Sequence, residues 1–374
     1  MITLKNIPGQ TIVARNLLNS FNRGRLASTY LFYGSDGRGK WATAIAFAAL
    51  VNCENPLRDK SGRVLGSCRE CRNCRQIANL SFSDLYFALP LPPYKNEKEF
   101  NAQYLEYLDQ KRTEPYRIIS SARQQTIPVE MAYEIRKKIS IKHEPGIKRI
   151  ILFYQMEKML PASADALLKM IEEPPPETII IMTAVDPDDL LPTIKSRAQR
   201  VRFLPLPAEE ITRYLAERRD IGQEKASLAA HLADGSLGHA LSFIDDENDS
   251  SHRQTSFLLF KNILTKDSPS AIAALSELVN PNDRGESEQI IQRWQSFLSD
   301  IIRIKHGERL TDIINLDLAR ELETISARIN SPADFAGILD NLKKMTLSLR
   351  RNIHIRTGMS ALALRLRRYV NQTP

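Results

Sequence analysis

Two hydrophobic periods divide this chain. Between Thr11 and Gly24 the apolar positions are Ile12, Val13, Leu17, Leu18 and Phe21, a helical spacing that ends at a glycine suited to a C-cap. A short apolar strand, Tyr30 to Tyr33, is followed by a Gly-rich turn and an Ala-rich helix from Trp41 to Val51. The pattern breaks down from Leu85 to Arg117. There Leu89-Pro90-Leu91-Pro92-Pro93-Tyr94 reads as polyproline-like, and Asn96 to Arg112 mixes charge with aromatics, which predicts an inserted excursion with at most a short helix. It is either a surface loop or a partner-binding segment. Order returns at Pro128, where Val129, Ala132, Ile135 and Ile139 mark an amphipathic helix.

The chain then runs through Lys148-Arg149-Ile150-Ile151-Leu152-Phe153-Tyr154, whose apolar centre fits a parallel strand buried on both faces. A helix from Ala162 to Glu173, stopped by Pro174-Pro175-Pro176, precedes strands at Ile179 to Thr183 and Arg200 to Leu204. Pro205 and Pro207 punctuate a boundary. Beyond it the periodicity is helical throughout: Glu209 to Arg218, Glu224 to Ala233, Ser236 to Ile244, a polar linker over 245–253, and several amphipathic helices to Val370. Strand and helix alternation followed by helices alone predicts a doubly wound α/β domain with appended bundles. Apolar positions around Trp294, Phe297, Ile301 and Ile302 are either intrachain core or an assembly surface.

Length agrees with that division, since 374 residues suit two or three domains. An apolar fraction of 43% and a charged fraction of 26% are those of a globular protein, and no run approaches the roughly 18 apolar residues of a membrane span. The start, Met1-Ile2-Thr3-Leu4-Lys5, lacks the apolar core of a signal peptide, so a cytoplasmic location is expected. A net charge of +8 favours a polyanionic partner only weakly; a solvated basic surface is the alternative. The same choice applies to the basic end, Lys343, Lys344, Arg350, Arg351, Arg356, Arg365, Arg367 and Arg368.

All four cysteines fall in one segment, Cys68, Cys71 and Cys74 in a CxxCxxC pattern and Cys53 fifteen positions upstream. Four thiolates can close a tetrahedral shell around one zinc ion, and with no open position such an ion is structural. The segment between Cys53 and Cys68 has too few apolar residues for a core, so the metal would order it. Free thiols or two disulfides are the alternative.

The chemistry centres on Leu31-Phe32-Tyr33-Gly34-Ser35-Asp36-Gly37-Arg38-Gly39-Lys40-Trp41. Gly34, Gly37 and Gly39 permit the tight turn of a phosphate loop, and Lys40 can reach a terminal phosphate. The next position normally supplies a hydroxyl to magnesium; here it is Trp41, whose indole ligates no hard cation. Nucleotide hydrolases also place acids after the central strand, whereas this chain has Gln155-Met156, with Glu157 one residue late and expected to point elsewhere. A phosphate cradle without its metal-holding and water-activating groups is the result.

Several separated segments together resemble the clamp-loader branch of the bacterial AAA+ ATPases: Gly9-Gln10, the phosphate loop, the four cysteines, Asp165-Ala166-Leu167-Leu168-Lys169-Met170-Ile171-Glu172-Glu173-Pro174-Pro175, and Ser196-Arg197. A sixth, from Arg350-Arg351-Asn352-Ile353-His354 to Leu364, is similar to the family's last collar helix. The resemblance implies a RecA-like AAA+ domain with a parallel sheet over residues 1–204, including a zinc module at 53–74 and the insertion at about 88–120. It further implies a three-helix lid over 205–247 and an all-α collar over 248–374 that joins five subunits in a ring.

Active members have Thr, Asp-Glu and a lid arginine where this chain has Trp41, Gln155-Met156 and Gly238. The pattern is therefore most similar to the delta-prime branch, a subunit without hydrolysis of its own, with an active gamma/tau-like ATPase as the alternative. Implied partners are the gamma/tau and delta type subunits, the sliding clamp and primed DNA. Arg197 would act in trans on ATP held by a neighbour, and nucleotide binding in this chain's own cradle would be weak or absent.

Overall fold

The computed structural model describes residues 2–369 apart from 120, 122, 124, 140–145, 160–169, 220, 246–248, 266–274, 276–283, 311–312, 330 and 351–352. Most of the expected helix at 162–173, with Asp165 to Lys169, and the start of the expected last collar helix, Arg351 and Asn352, thus lie outside the described residues. The chain divides into two compact units. One comprises Met1–Ile119, Gln125–Ala230 and Asp234–Leu241; the other comprises Ser120–Gln124, His231–Ala233 and Ser242–Pro374. The helices after Pro207 therefore group with the sheet as far as Leu241, apart from His231–Ala233.

In the first unit, α1 (Thr11–Asn22) leads to β1 (Thr29–Tyr33), the Gly-rich loop and α2 (Lys40–Val51). A hairpin of β2 (Leu57–Arg58) and β3 (Val64–Gly66) and the short α3 (Arg72–Ala78) carry the cysteines, and β4 (Leu85–Ala88) returns to the sheet. The excursion contains α4, Glu97–Thr113, a 17-residue helix where at most a short one was expected. Its helicity comes from its ends. The Asn96 side chain accepts from the Glu99 N–H, and acidic residues at the start and Lys111 and Arg112 at the end complement the helix dipole.

There follow α5 (Val129–Ile139), β5 (Arg149–Phe153), β6 (Thr178–Ala184), α6 (Pro192–Arg197) and β7 (Gln199–Arg202), then α7 (Ala208–Arg219), α8 (Gln223–Leu232) and α9 (Leu237–Asp245).

The five-stranded sheet is ordered β4-β5-β6-β1-β7 and all its pairs are parallel, with Leu31 beside Met182 on one side and Arg200 on the other. Every residue of β5 and β6 is buried, as unbroken apolar strands require, while the edge strand β7 is largely exposed. This is the α/β class with parallel sheet that the sequence predicts. The loop leaves the carboxyl end of β1, inside the sheet, where such sheets bind ligands.

The second unit is helical among its described residues: α10 (Asp249–Thr265), α11 (Arg284–Lys305), α12 (Ala319–Ser326), α13 (Pro332–Arg350) and α14 (Ile355–Arg367). Trp294, Phe297 and Ile301 lie in its core with Phe257 and Phe260, so they are packing residues; Ile302 packs against that core. The Trp294 indole N–H donates to the Ser256 carbonyl at 3.0 Å.

Candidate nucleotide cradle and cysteine cluster

Gly34, Gly37, Gly39 and Lys40 come together as the sequence requires, all three glycines at positive φ. Gln10, buried at the start of α1, braces the turn by donating to the carbonyls of Arg38 (3.2 Å) and Leu204 (2.9 Å). Lys40, expected to reach a terminal phosphate, is instead 3% exposed and turned onto its own loop. Its Nζ donates to the carbonyls of Gly34 and Ser35, the latter at 3.0 Å, and pairs with Asp36 Oδ1 at 3.2 Å. The other Asp36 oxygen accepts from Gln155 Nε2 at 2.7 Å. Burial alone would raise the Asp36 pKa, but Lys40, Lys158 and the Gln155 amide outweigh it and hold the carboxyl below its ordinary value. An internal anion thus satisfies the lysine that would otherwise meet a phosphate.

Trp41, at the magnesium-binding position, is 2% exposed and packed in an aromatic cluster. Its ring stacks on Phe87 (5.2 Å between centroids) and meets Tyr154 edge-on (5.5 Å). Lys111 of α4 lies against the same cluster, buried, with its Nζ 4.4 Å from the Tyr154 ring centre and donating to the Arg117 carbonyl at 2.6 Å and the Tyr154 hydroxyl at 3.1 Å. Burial pushes the Lys111 ammonium down to about 7.

Glu157 departs from expectation. Gln155 adopts a left-handed conformation (φ 54°) before the single turn Met156–Lys158, and the Glu157 carboxyl is held near enough to Asp36 and Lys40 of the loop to feel both charges. Its Oε1 accepts from the Val185 N–H at 3.3 Å, and Oε2 has no hydrogen-bond partner among the described residues. Burial, then the neighbouring Asp36 charge, raise its pKa to about 7.

Helix α9 closes the loop from outside. Ser236 Oγ donates to the Asp36 carbonyl at 2.7 Å, and the Gly238 N–H donates to the Gly37 carbonyl at 3.1 Å. At Gly238 a β-carbon would stand 2.5 Å from the Tyr116 carbonyl oxygen and 2.7 Å from Gly37 Cα, so only glycine fits. Sequence reasoning missed Asp36, Lys111, Tyr116 and Ser236; Ser236 carried a signal only as a neighbour of the lid position, Gly238.

Arg197 sits at the end of α6 with its side chain 42% exposed. It donates to the Thr193 carbonyl at 3.1 Å and lies 3.5 Å from Glu172 Oε1, a weak, solvent-screened pair. Of the basic end, Lys343, Lys344, Arg356, Arg365 and Arg368 are exposed and Lys344 pairs with Asp340, whereas the side chains of Arg350 and Arg351 lie outside the described residues.

Cys53, Cys68, Cys71 and Cys74 converge from the end of α2, the hairpin and α3, with all four Sγ atoms within 4.8 Å of one another. None is in a disulfide. Cys68 and Cys74 Sγ are 3.9 Å apart, close to the about 3.8 Å edge of a tetrahedron with 2.3 Å metal–sulfur bonds. Backbone N–H groups point at the sulfurs, from Cys68 to Cys53, from Cys71 to Cys68 and from Cys74 to Cys71. Burial would raise Cys68, yet the N–H donors of Cys71 and Glu70 bring it down to about 6; burial raises Cys53 and Cys74. The donor set fits a thiolate-bound zinc. Asn52 ties the module to the sheet by exchanging two hydrogen bonds with the Lys148 backbone.

A Gly-rich loop and lysine on the carboxyl end of an inner strand, in an all-parallel sheet with a helical segment laid over the loop, define a P-loop protein of the AAA+ kind. The family described as "DNA polymerase III, delta subunit" matches residues 9–207. The Escherichia coli delta' subunit of DNA polymerase III is 23% identical over 327 residues, 87% of this chain and 84% of that protein. The Bacillus subtilis tau subunit is 26% identical over 246 residues, 64% of this chain and 37% of its own length. The chain spans less than half the length of the tau relatives it matches, 33% to 47%. A Thermotoga maritima gamma subunit-related structure overlaps 95% of this chain and all of its own at 14% identity and a TM-score of 0.40. The chain belongs to the DNA polymerase III delta subunit family, and is a clamp-loader AAA+ subunit related to delta', tau and gamma. No helix among the described residues is long and apolar enough to cross a membrane.

Proposed function

We propose that this chain is a delta-prime-like subunit without ATPase activity of its own, acting in the cytoplasm within a five-subunit loader. It supports the ATP-driven placement of a sliding clamp on primed DNA alongside gamma/tau and delta type subunits. The reading rests on one observation: Lys40 is already neutralised by Asp36, above a magnesium position filled by an indole. Catalysis of phosphoryl transfer is positioning plus charge stabilisation, and neither metal nor water-orienting acid has its usual residue here.

Arg197 serves a neighbour's ATP, where its guanidinium stabilises charge on the transferred phosphoryl group. Its exposure and its weak tether to Glu172 support that role. Cys53, Cys68, Cys71 and Cys74 hold one structural zinc, which orders the hairpin between α2 and α3.

The assembled loader tests the proposal. Arg197→Ala leaves folding and assembly intact and lowers the complex's ATP turnover; unchanged turnover refutes the trans role. Glu157, with its carboxyl under the influence of the Asp36 and Lys40 charges, favours a second reading, a gamma/tau-like ATPase using this displaced carboxylate. Steady-state hydrolysis by the isolated chain, abolished by Lys40→Ala, would establish that reading instead.

A further inference from the structure

Two of the positions that set this chain apart from a hydrolytic site, Trp41 and Gly238, touch the same piece of polypeptide, the end of α4 and the turn that follows it. Lys111 leaves α4 to lie over the Trp41 and Tyr154 rings, 5.6 and 4.4 Å from their centres. By bonding the Arg117 carbonyl it also ties the following turn back onto the helix. Tyr116, 2% exposed, places its ring on the loop, where a β-carbon at Gly39 would meet it at 3.3 Å and Ile7 at 3.4 Å. The same ring meets Tyr214 of α7 edge-on at 5.3 Å. Glu114 completes the seat, accepting from the Tyr214 hydroxyl at 3.3 Å and lying 3.5 Å from the Arg219 guanidinium.

We infer that residues 107–118 are the resident occupant of the nucleotide cradle, a segment of the chain itself packed between the phosphate loop and the helices over it, and that they close the cradle to nucleoside triphosphates. This deepens the proposed silent subunit and relies on it only for identifying the cradle.

Two observations converge. The Tyr116 carbonyl and the Ile118 side chain crowd Gly238, where a β-carbon would stand 2.5 and 2.8 Å from them, so an arginine at that position is incompatible with the segment's path. The Tyr116 ring, set between Gly39 of the loop and Tyr214 of α7, fills apolar space directly against the loop that a bound nucleotide would have to share. Binding a triphosphate here requires expelling Tyr116 and separating Lys40 from Asp36.

Titration of the full-length, zinc-replete protein with a fluorescent ATP analogue, followed by hydrogen exchange at the amides of residues 107–118, tests the inference. The wild type gives no saturable binding up to millimolar analogue, with those amides equally protected with and without ATP. The double variant Lys111→Ala/Tyr116→Ala, folded by circular dichroism, gains affinity by at least tenfold. Saturable wild-type binding in the micromolar range with undisturbed protection overturns the inference, as does a folded double variant that still binds nothing. Should the double variant not fold, the wild-type titration and exchange decide alone. Binding without turnover would refute closure and leave the silent subunit standing, whereas wild-type turnover would refute the silent subunit itself.

Discussion

Replacing Lys111 with Met makes the stability of the sheet unit depend on pH in a way that can be worked out in advance. In the unfolded chain this amine keeps its proton to about pH 10.4. In the folded chain burial, together with the Lys40 and Arg117 charges and against those of Asp36 and Glu114, brings its pKa down to about 7. Between those values the unfolded state binds one more proton than the folded state. Wild-type stability therefore rises with pH by up to about 1.4 kcal/mol per pH unit from about 7 to 10. Below pH 7 both states are protonated and the folded state carries the whole penalty, on the order of 5 kcal/mol as an upper bound.

Met removes the penalty and the slope, but leaves the Arg117 carbonyl and the Tyr154 hydroxyl without their donor, at about 1–3 kcal/mol each. The substitution is thus neutral to stabilising at pH 7 and destabilising near pH 10. Urea unfolding followed by Trp41 fluorescence in a Trp294→Phe background isolates the relevant unit, since the chain has only two tryptophans. A difference between variant and parent that stays flat within about 0.5 kcal/mol from pH 7 to 9.5 refutes the burial argument.

Gly238→Ala forces a β-carbon against backbone on both sides and should destabilise the sheet unit by about 1–3 kcal/mol in the same urea assay. Gly66→Ala, with open space around it, should change stability by less than about 0.5 kcal/mol; equal effects at the two sites would remove the packing argument. Metal analysis should find one zinc per chain, released by a strong chelator together with a lower unfolding temperature and faster proteolysis between Cys53 and Cys74; a metal-free protein of unchanged stability refutes the zinc proposal.

The parts of this fold that sequence reveals are those where burial leaves a pattern. Strands β5 and β6 are enclosed on both faces and therefore read as unbroken apolar runs, and the glycines and lysine of the loop announce a turn that few other residues could make. Helix α4 left no such trace. Only Tyr107 and Lys111 on it are buried, so it has no apolar stripe, and its most deeply placed polar residue is one that composition assigns to the surface. Asp36 was invisible for another reason: in a Gly-rich turn an aspartate is an ordinary turn former, and its partner Gln155 lies far along the chain. Glu157 was misdirected because its orientation depends on the left-handed Gln155, a conformation that a non-glycine residue rarely signals. The cysteines, by contrast, were legible because metal-ligand spacing is itself a pattern.

The departures at 41, 155 and 238 are one packing arrangement seen from three positions. A threonine at 41 would leave Lys111 over a void bordered by Phe87 and Tyr154, and removing a buried tryptophan typically destabilises by several kcal/mol. An acid at 155 would face Asp36 across 2.7 Å, where the Gln155 amide now donates, setting two carboxylates against each other. An arginine at 238 would collide with the Tyr116 carbonyl and with the loop. Each restored group is therefore opposed by a contact already made with the inserted segment, the aromatic cluster or Asp36 of the loop, and effects at neighbouring positions are not additive. On the proposed silent-subunit reading, a catalytic site is not one substitution away at any of the three. All three would have to change while residues 107–118 were displaced, so the proposed closure is a property of the whole packing arrangement rather than the absence of a few functional groups.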